Sequence, residues 1–383
     1  MSRPLRIHAA RDWSRTHEPT IFRCVSIVPL YGHDALKTRL SSAIRRGTLP
    51  ASLLLHGARG VGKQRLAIWL AQALVCTTPR DDGTACGRCQ SCRFSATLAH
   101  PDLHWFFPRP RLETDASTAE VVSDYAETIA DRVKASGLYA SSSGSEAIYV
   151  ATVRAIVQLA SVSPAMSRRK VFIVGDAERL VPQEGSEQAA NALLKLLEEP
   201  PANTTIILTS SESGALLPTI RSRVVNVRVA SLTSREVEAF VADPVVSQAL
   251  RRGHAKATTA DLVEMAAGAP GQLLDSRERD DAIAGATRLL ESALSGDRSK
   301  AIRAAMAQGS SRARGAFSDT LDELTALLAA RAKSAVARGD EGAALGASKA
   351  IACVEQAKTL AAGNVNPALI SATLLRDIAS ALA

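Results

Sequence analysis

Leu53 to Ala67 reads LLLHGARGVGKQRLA, an apolar run, a glycine-rich turn and an apolar-periodic stretch. Gly57, Gly62 and Lys63 match the phosphate-binding pattern GxxxxGK[ST], and Gly60 adds a further small residue inside the turn. Such a loop holds phosphate because its backbone N–H groups, unobstructed by side chains, surround the oxygens at a helix N-terminus, while the lysine adds a point charge. The last position of the pattern departs from it. Gln64 stands where a Ser or Thr hydroxyl would ligand Mg²⁺, a cation that tolerates misplaced ligands poorly. A second station of the same ion should follow the apolar strand KVFIV as an acidic pair, and there Gly175 precedes Asp176. With two ligands of one ion missing, the loop is expected to hold ATP or ADP without efficient hydrolysis, which needs a positioned cation as well as a phosphate cradle.

The second cluster is Cys76, Cys86, Cys89 and Cys92, four of the six cysteines. Four soft thiolates so close in sequence can converge on a tetrahedral ion, and Gly87 within CGRC permits the tight turn. Structural zinc is the favoured reading and an iron–sulfur cluster its rival, although no CP follows the last cysteine. Cys24 and Cys353 read as ordinary small residues, the latter on an apolar helix face. Arg221 and Arg223 flank Ser222 in LPTIRSRVV: either two solvated arginines on a short helix, or a cation reaching a neighbouring subunit's γ-phosphate. Lys195, Glu198 and Glu199 read as a solvated helix end. His56, His100 and His104 read as structural or exposed, having no nucleophile nearby in sequence.

These residues need elements to position them. DALKTRLSSAIRR places Leu36, Leu40 and Ile44 on one helical face, and Pro50 separates it from the strand SLLLHG. KQRLAIWLAQALVC is the helix that carries the loop into the cysteines. From about 108 to 146 a Pro-rich start, a helix around Val121 to Val133 and a Ser/Gly-rich end suggest a surface insertion. The helix IYVATVRAIVQLAS, strand KVFIV, helix EQAANALLKLLEE, strand TTIILTSS, a short helix and a last strand follow. This alternation predicts an α/β domain with a parallel sheet over 27–230, preceded by a disordered tail over 1–26. A small helical unit over 231–276 and an all-helical region over 277–383 complete the division. In the latter, Leu321, Leu324 and Leu328 share one face and Ile370, Leu374 and Ile378 another.

The chain has 383 residues, enough for two or three domains, with 46% hydrophobic but only 4% aromatic residues. Its formal charge of +8 and pI of 9.4 are compatible with an anionic partner such as nucleic acid and equally with a merely basic protein. No apolar run approaches the length of roughly 20 residues that spans a bilayer, and no signal-peptide core opens the chain, so a cytoplasmic protein is expected.

In combination, YGHDALKTRLSSAIRRGTLPASLLLHGARGVGK, the cysteine cluster, HPDLHW, KVFIVGDAERL, NALLKLLEEPPANTTIILTS, LLPTIRSRV and NVNPALISATLL resemble the delta-prime subunits of bacterial DNA polymerase III, in the clamp-loader group of AAA+ proteins. The resemblance implies a RecA-like AAA+ domain with a zinc module over 76–92, a helical lid and a helical collar. It also implies clamp-loader partners in DNA replication: gamma/tau motors, a delta subunit, the sliding clamp and primer–template DNA. In that family a Ser-Arg-Cys motif lends an arginine in trans; Ser222-Arg223-Val224 keeps the arginine. The motors of the group have an intact GKT or GKS, an acidic pair and a lid arginine, where this chain has Gln64, Gly175 and Gln272. A non-hydrolysing component of the polymerase holoenzyme is therefore expected. A gamma/tau-like motor or an AAA+ repair ATPase is the alternative, and a DNA-reading role for the cysteine module, with only Arg88 and Arg93 nearby, a weaker one.

Overall fold

The computed structural model describes residues 27–110, 115–139, 146–180, 187–251, 253–255, 257–274, 276–307, 314–362 and 366–382. The tail expected over 1–26, with Cys24, lies outside them.

Helix α1, Asp34–Arg46, is closed by Gly47 in the left-handed conformation and leads to strand β1, Ser52–His56. Helix α2, Lys63–Val75, starts from Gly62 and ends at Cys76; a short helix α3, Gln90–Ala96, begins inside the cysteine cluster. Next come β2, Leu103–Phe106, α4, Thr118–Lys134, α5, Val150–Ala160, and β3, Lys170–Val174. Then follow α6, Glu187–Glu198, β4, Thr204–Ser210, α7, Pro218–Arg221, and β5, Val225–Arg228. The strands form one parallel sheet in the order β2-β3-β4-β1-β5, with Leu53 paired to Ile207 on one side and Val225 on the other. Strands β3 and β4 are buried along their whole length, as expected of strands covered by helices on both faces. The expected parallel α/β sheet is therefore present. Strand β2 has no counterpart among the strands read from sequence.

The segment expected as a surface insertion is part of the main core. Its helix α4 has a capping box at Ser117 and Glu120 and buries Val121 and Tyr125 fully. Tyr125 donates its hydroxyl proton to the Phe107 carbonyl at 2.7 Å and packs edge-on against Phe106 and Phe107. Arg109 and Asp124 clamp the start of the segment with a two-pronged ion pair at 2.8 and 2.9 Å. Polar composition at the ends of 108–146 concealed this apolar face.

Beyond the sheet lie α8, Ser234–Ala242, α9, Pro244–Leu250, and α10, Thr259–Ala266. They share a small core of Leu232, Val237, Val246 and Leu273 with Val28, so the chain just before α1 packs with these helices. Tyr31 fixes that strap by donating to Asp243 at 2.6 Å. Helices α11, Ser276–Leu294, α12, Arg298–Met306, α13, Arg314–Ala337, α14, Glu341–Ala362, and α15, Pro367–Leu382, form a third cluster. Its centre holds Leu289, Phe317, Leu321, Leu324, Leu328, Val354, Leu374 and Ile378, and Cys353 lies at its edge.

Candidate functional site

Between β1 and α2 the backbone takes the course that the glycines permit. A Cβ at Gly57 would lie 2.2 Å from the Val229 carbonyl oxygen, and one at Gly60, where φ is +82°, would lie 2.9 Å from the Gln272 backbone nitrogen. The turn Pro270–Leu274 thus sits directly on the loop, with Gly271 N–H donating to Gly60 O at 2.9 Å. Arg59, next along the loop, pairs with Asp319 of α13 at 3.6 Å. From the other side His33 Nε2 meets Val61 O at 2.8 Å.

Lys63 is buried and turned into its own loop. Its ammonium donates to Gly57 O at 3.1 Å, Ala58 O at 2.9 Å and Ser211 Oγ at 2.9 Å. Burial pushes its pKa down, opposed by the charges of Asp176 and Glu178. Glu178 is itself pushed up by burial and by Asp176, while it accepts the Ser211 N–H at 2.9 Å.

Gln64 lies on the side of the loop that faces the end of β3. Its Nε2 donates to Asp176 Oδ2 at 3.1 Å, and its Oε1 accepts from Trp105 Nε1 at 3.0 Å and Tyr139 Oη at 3.5 Å. Asp176 holds the left-handed conformation, φ 49° and ψ 54°, and its N–H donates to Thr209 Oγ1 at 3.1 Å. The indole and phenol against Gln64 are packed in turn by Arg132 of α4, whose guanidinium carbon lies 4.7 Å from the Trp105 ring, 3.4 Å from Phe107 and 4.0 Å from Tyr139. Ser211, Glu178, Trp105, Tyr139 and Arg132 were not singled out from sequence. A Ser or Glu just past a buried strand was the only local signal.

The four cysteines converge. Their sulfur atoms lie within 4.8 Å of one another, with Cys76–Cys89 at 3.9 Å, Cys86–Cys92 at 3.8 Å and Cys76–Cys92 at 3.5 Å. Four thiolates about 2.3 Å from a tetrahedral zinc stand about 3.8 Å apart, so the set fits that ion and is far too open for disulfides. Backbone N–H groups of Cys86, Cys89 and Cys92 point at Cys76, Cys86 and Cys89 sulfurs at 3.3, 3.3 and 3.4 Å. A hydrogen bond from Thr78 and the backbone N–H groups of Arg88 and Cys89 bring Cys86 down to about 7. Burial pushes Cys76 and Cys92 up. Four protein ligands leave no open position, so a bound zinc would cross-link α2 to α3 and do no chemistry.

Residues 32–233, more than half of the chain, match the family described as DNA polymerase III, delta subunit. The chain belongs to that family. The delta' subunit of Pseudomonas aeruginosa DNA polymerase III is 32% identical over 172 residues, 45% of this chain and 40% of its own. The gamma/tau subunit of Mycobacterium tuberculosis H37Rv is 29% identical over 221 residues, 58% of this chain and 31% of its own. The chain thus spans less than half the length of either relative. A solved gamma subunit-related protein of Thermotoga maritima aligns with 91% of this chain and 99% of its own at 17% identity and a TM-score of 0.43, too low to add to the strand order above.

In this member of the DNA polymerase III delta subunit family, Arg223 lies between α7 and β5 at the outer edge of the sheet. It forms an ion pair with Glu198 at the end of α6, donating through Nε at 2.6 Å, and donates through NH1 to Thr219 O at 2.8 Å. Glu198 is therefore its partner and not a plain solvated helix end; Arg221 is exposed. His100 is buried and accepts the Asp102 N–H at 3.0 Å, while Asp102 receives Ala165, Met166 and Ser167 N–H groups at 2.6–2.8 Å. HPDLHW is thus a brace for the approach to β3. No helix among the described residues is long and apolar enough to cross a membrane.

Proposed function

We propose that this chain is a delta-prime-like clamp-loader subunit that does not hydrolyse ATP itself and completes a neighbouring motor's site with Arg223. The observation that carries the reading is the Gln64 side chain, bonded to Asp176 and Trp105 where an ATPase needs a cation. Lys63, with its ammonium against Gly57 O, Ala58 O and Ser211 Oγ, stays at the loop as a candidate phosphate partner, so ATP or ADP would be held there without being hydrolysed. We read the three apolar clusters as an α/β domain to about residue 230, a lid over 231–276 and a collar over 277–383. Zinc at Cys76, Cys86, Cys89 and Cys92 serves as a structural cross-link. Gamma/tau motors, a delta subunit, the sliding clamp and primer–template DNA are the partners, in the cytoplasm.

Release of Arg223 from Glu198 would free its guanidinium for a γ-phosphate across a subunit boundary, where such an arginine is worth about 10³–10⁵ in rate. The test assembles the chain with gamma/tau and delta subunits and measures DNA-stimulated ATP hydrolysis. Arg223→Ala is expected to depress it by tenfold or more with the assembly intact, and an unchanged rate removes the role. The longer match to gamma/tau relatives supports a second reading, a diverged motor. ATP turnover by the purified chain, lost on Lys63→Ala, would favour that reading and exclude ours.

A further inference from the structure

The two departures at the cation side touch one another. A Cβ at Gly175 would meet Gln64 Oε1 at 2.6 Å, its carboxamide carbon at 2.7 Å and Nε2 at 2.8 Å. A long side chain can ordinarily swing away from such an encounter. Gln64 cannot do so without cost, because its amide is engaged at both ends: moving it leaves the Trp105 indole N–H and the Asp176 carboxylate without the partners they have now. Trp105 is itself a buried residue of β2 with the Arg132 guanidinium of α4 over its ring, so it cannot follow a displaced amide. Gly175 is also committed by its backbone, donating its N–H to Phe106 O at 2.7 Å.

The geometry points to Gln64 and Gly175 as one matched substitution: the amide is a protein-supplied occupant of the divalent-cation station, and position 175 must lack a side chain to admit it. The Nε2 group takes over from a cation as the partner of Asp176, and the Oε1 atom takes over the volume of the missing carboxylate. The inference deepens the non-hydrolysing reading, but its test measures folding and so can fail separately from any role in clamp loading.

Four full-length proteins make the cycle: wild type, Gln64→Ser, Gly175→Ala and the double variant. All four carry Trp13→Phe and Trp69→Phe, which leaves Trp105, the residue bonded to Gln64, as the one tryptophan, and denaturant unfolding is followed by its fluorescence and by circular dichroism. Gly175→Ala is expected to lower the folding equilibrium at least tenfold in the wild-type background and less than threefold in the Gln64→Ser background. If the single variant is insoluble, recovery of a folded protein in the double variant carries the same meaning. Equal losses in both backgrounds, or two unfolded variants, overturn the pairing. In parallel, 10 mM Mg²⁺ is expected to leave the wild-type Trp105 transition unmoved; a Mg²⁺-dependent shift that Asp176→Asn abolishes overturns the occupancy.

Discussion

His104 shows how a side chain with no part in the loop still sets a property of the protein. Its ring stacks on Phe172 at 5.0 Å, and burial, with Lys170 nearby, pushes its pKa from 6.5 to about 4. His100 is moved the same way by burial. As the pH falls below 6.5 the unfolded chain therefore takes up protons before the folded one, and stability, full above 6.5, declines toward pH 4. We expect a loss of about 1–3 kcal/mol across this window and a visibly shallower loss in His104→Gln. Denaturant titrations at several pH values decide it, since equal slopes would clear His104. At this scale the sequence was informative about backbone and poor about partners. Gly57, Gly60 and Gly62 could be read because conformational freedom is local. The contacts of Gln64 could not, because Trp105 and Tyr139 reach it from β2 and the segment after α4.

Among the elements, the long periodic ones were legible and the short or composite ones were not. Helix α1 and strands β1, β3 and β4 follow from apolar spacing bounded by Pro and Gly. Strand β2 escaped because four residues between the cysteine module and a Pro-rich stretch carry no period, and its edge position is fixed only by pairing with β3. Helix α4 was legible as a helix, but its place in the core was not. The cysteine module is the clearest case of spacing revealing geometry. Elemental analysis is expected to find about one zinc per chain, lost in Cys92→Ser with a lower melting temperature. Iron with visible absorbance would identify the rival cluster instead, and no metal at all would leave the thiolates without a role.

For the molecule as a whole, separate cores imply separate thresholds of unfolding. The helical cluster of α11–α15 has Leu324 fully buried at its centre, while the sheet core is built around β3 and β4. Leu324→Ala is expected to cost about 2–5 kcal/mol in the helical cluster. Calorimetry should then show an early transition split from that of the sheet, with metal content unchanged. A single transition shifted as a unit would mean that the contacts of Arg59 with Asp319 and of Gly60 with Gly271 weld the parts together. None of these contacts between distant segments was readable beforehand, since each joins residues far apart in the chain with no shared pattern.

The fit between Gln64 and Gly175 also bears on how the two positions can vary. A carboxylate at 175 alone would meet the amide, and a hydroxyl at 64 alone would leave the Trp105 indole N–H and the Asp176 carboxylate without the partner they now share. The two positions are therefore locked together: either one changed alone breaks contacts that the pair keeps, so a tolerated change at one is expected only with a change at the other.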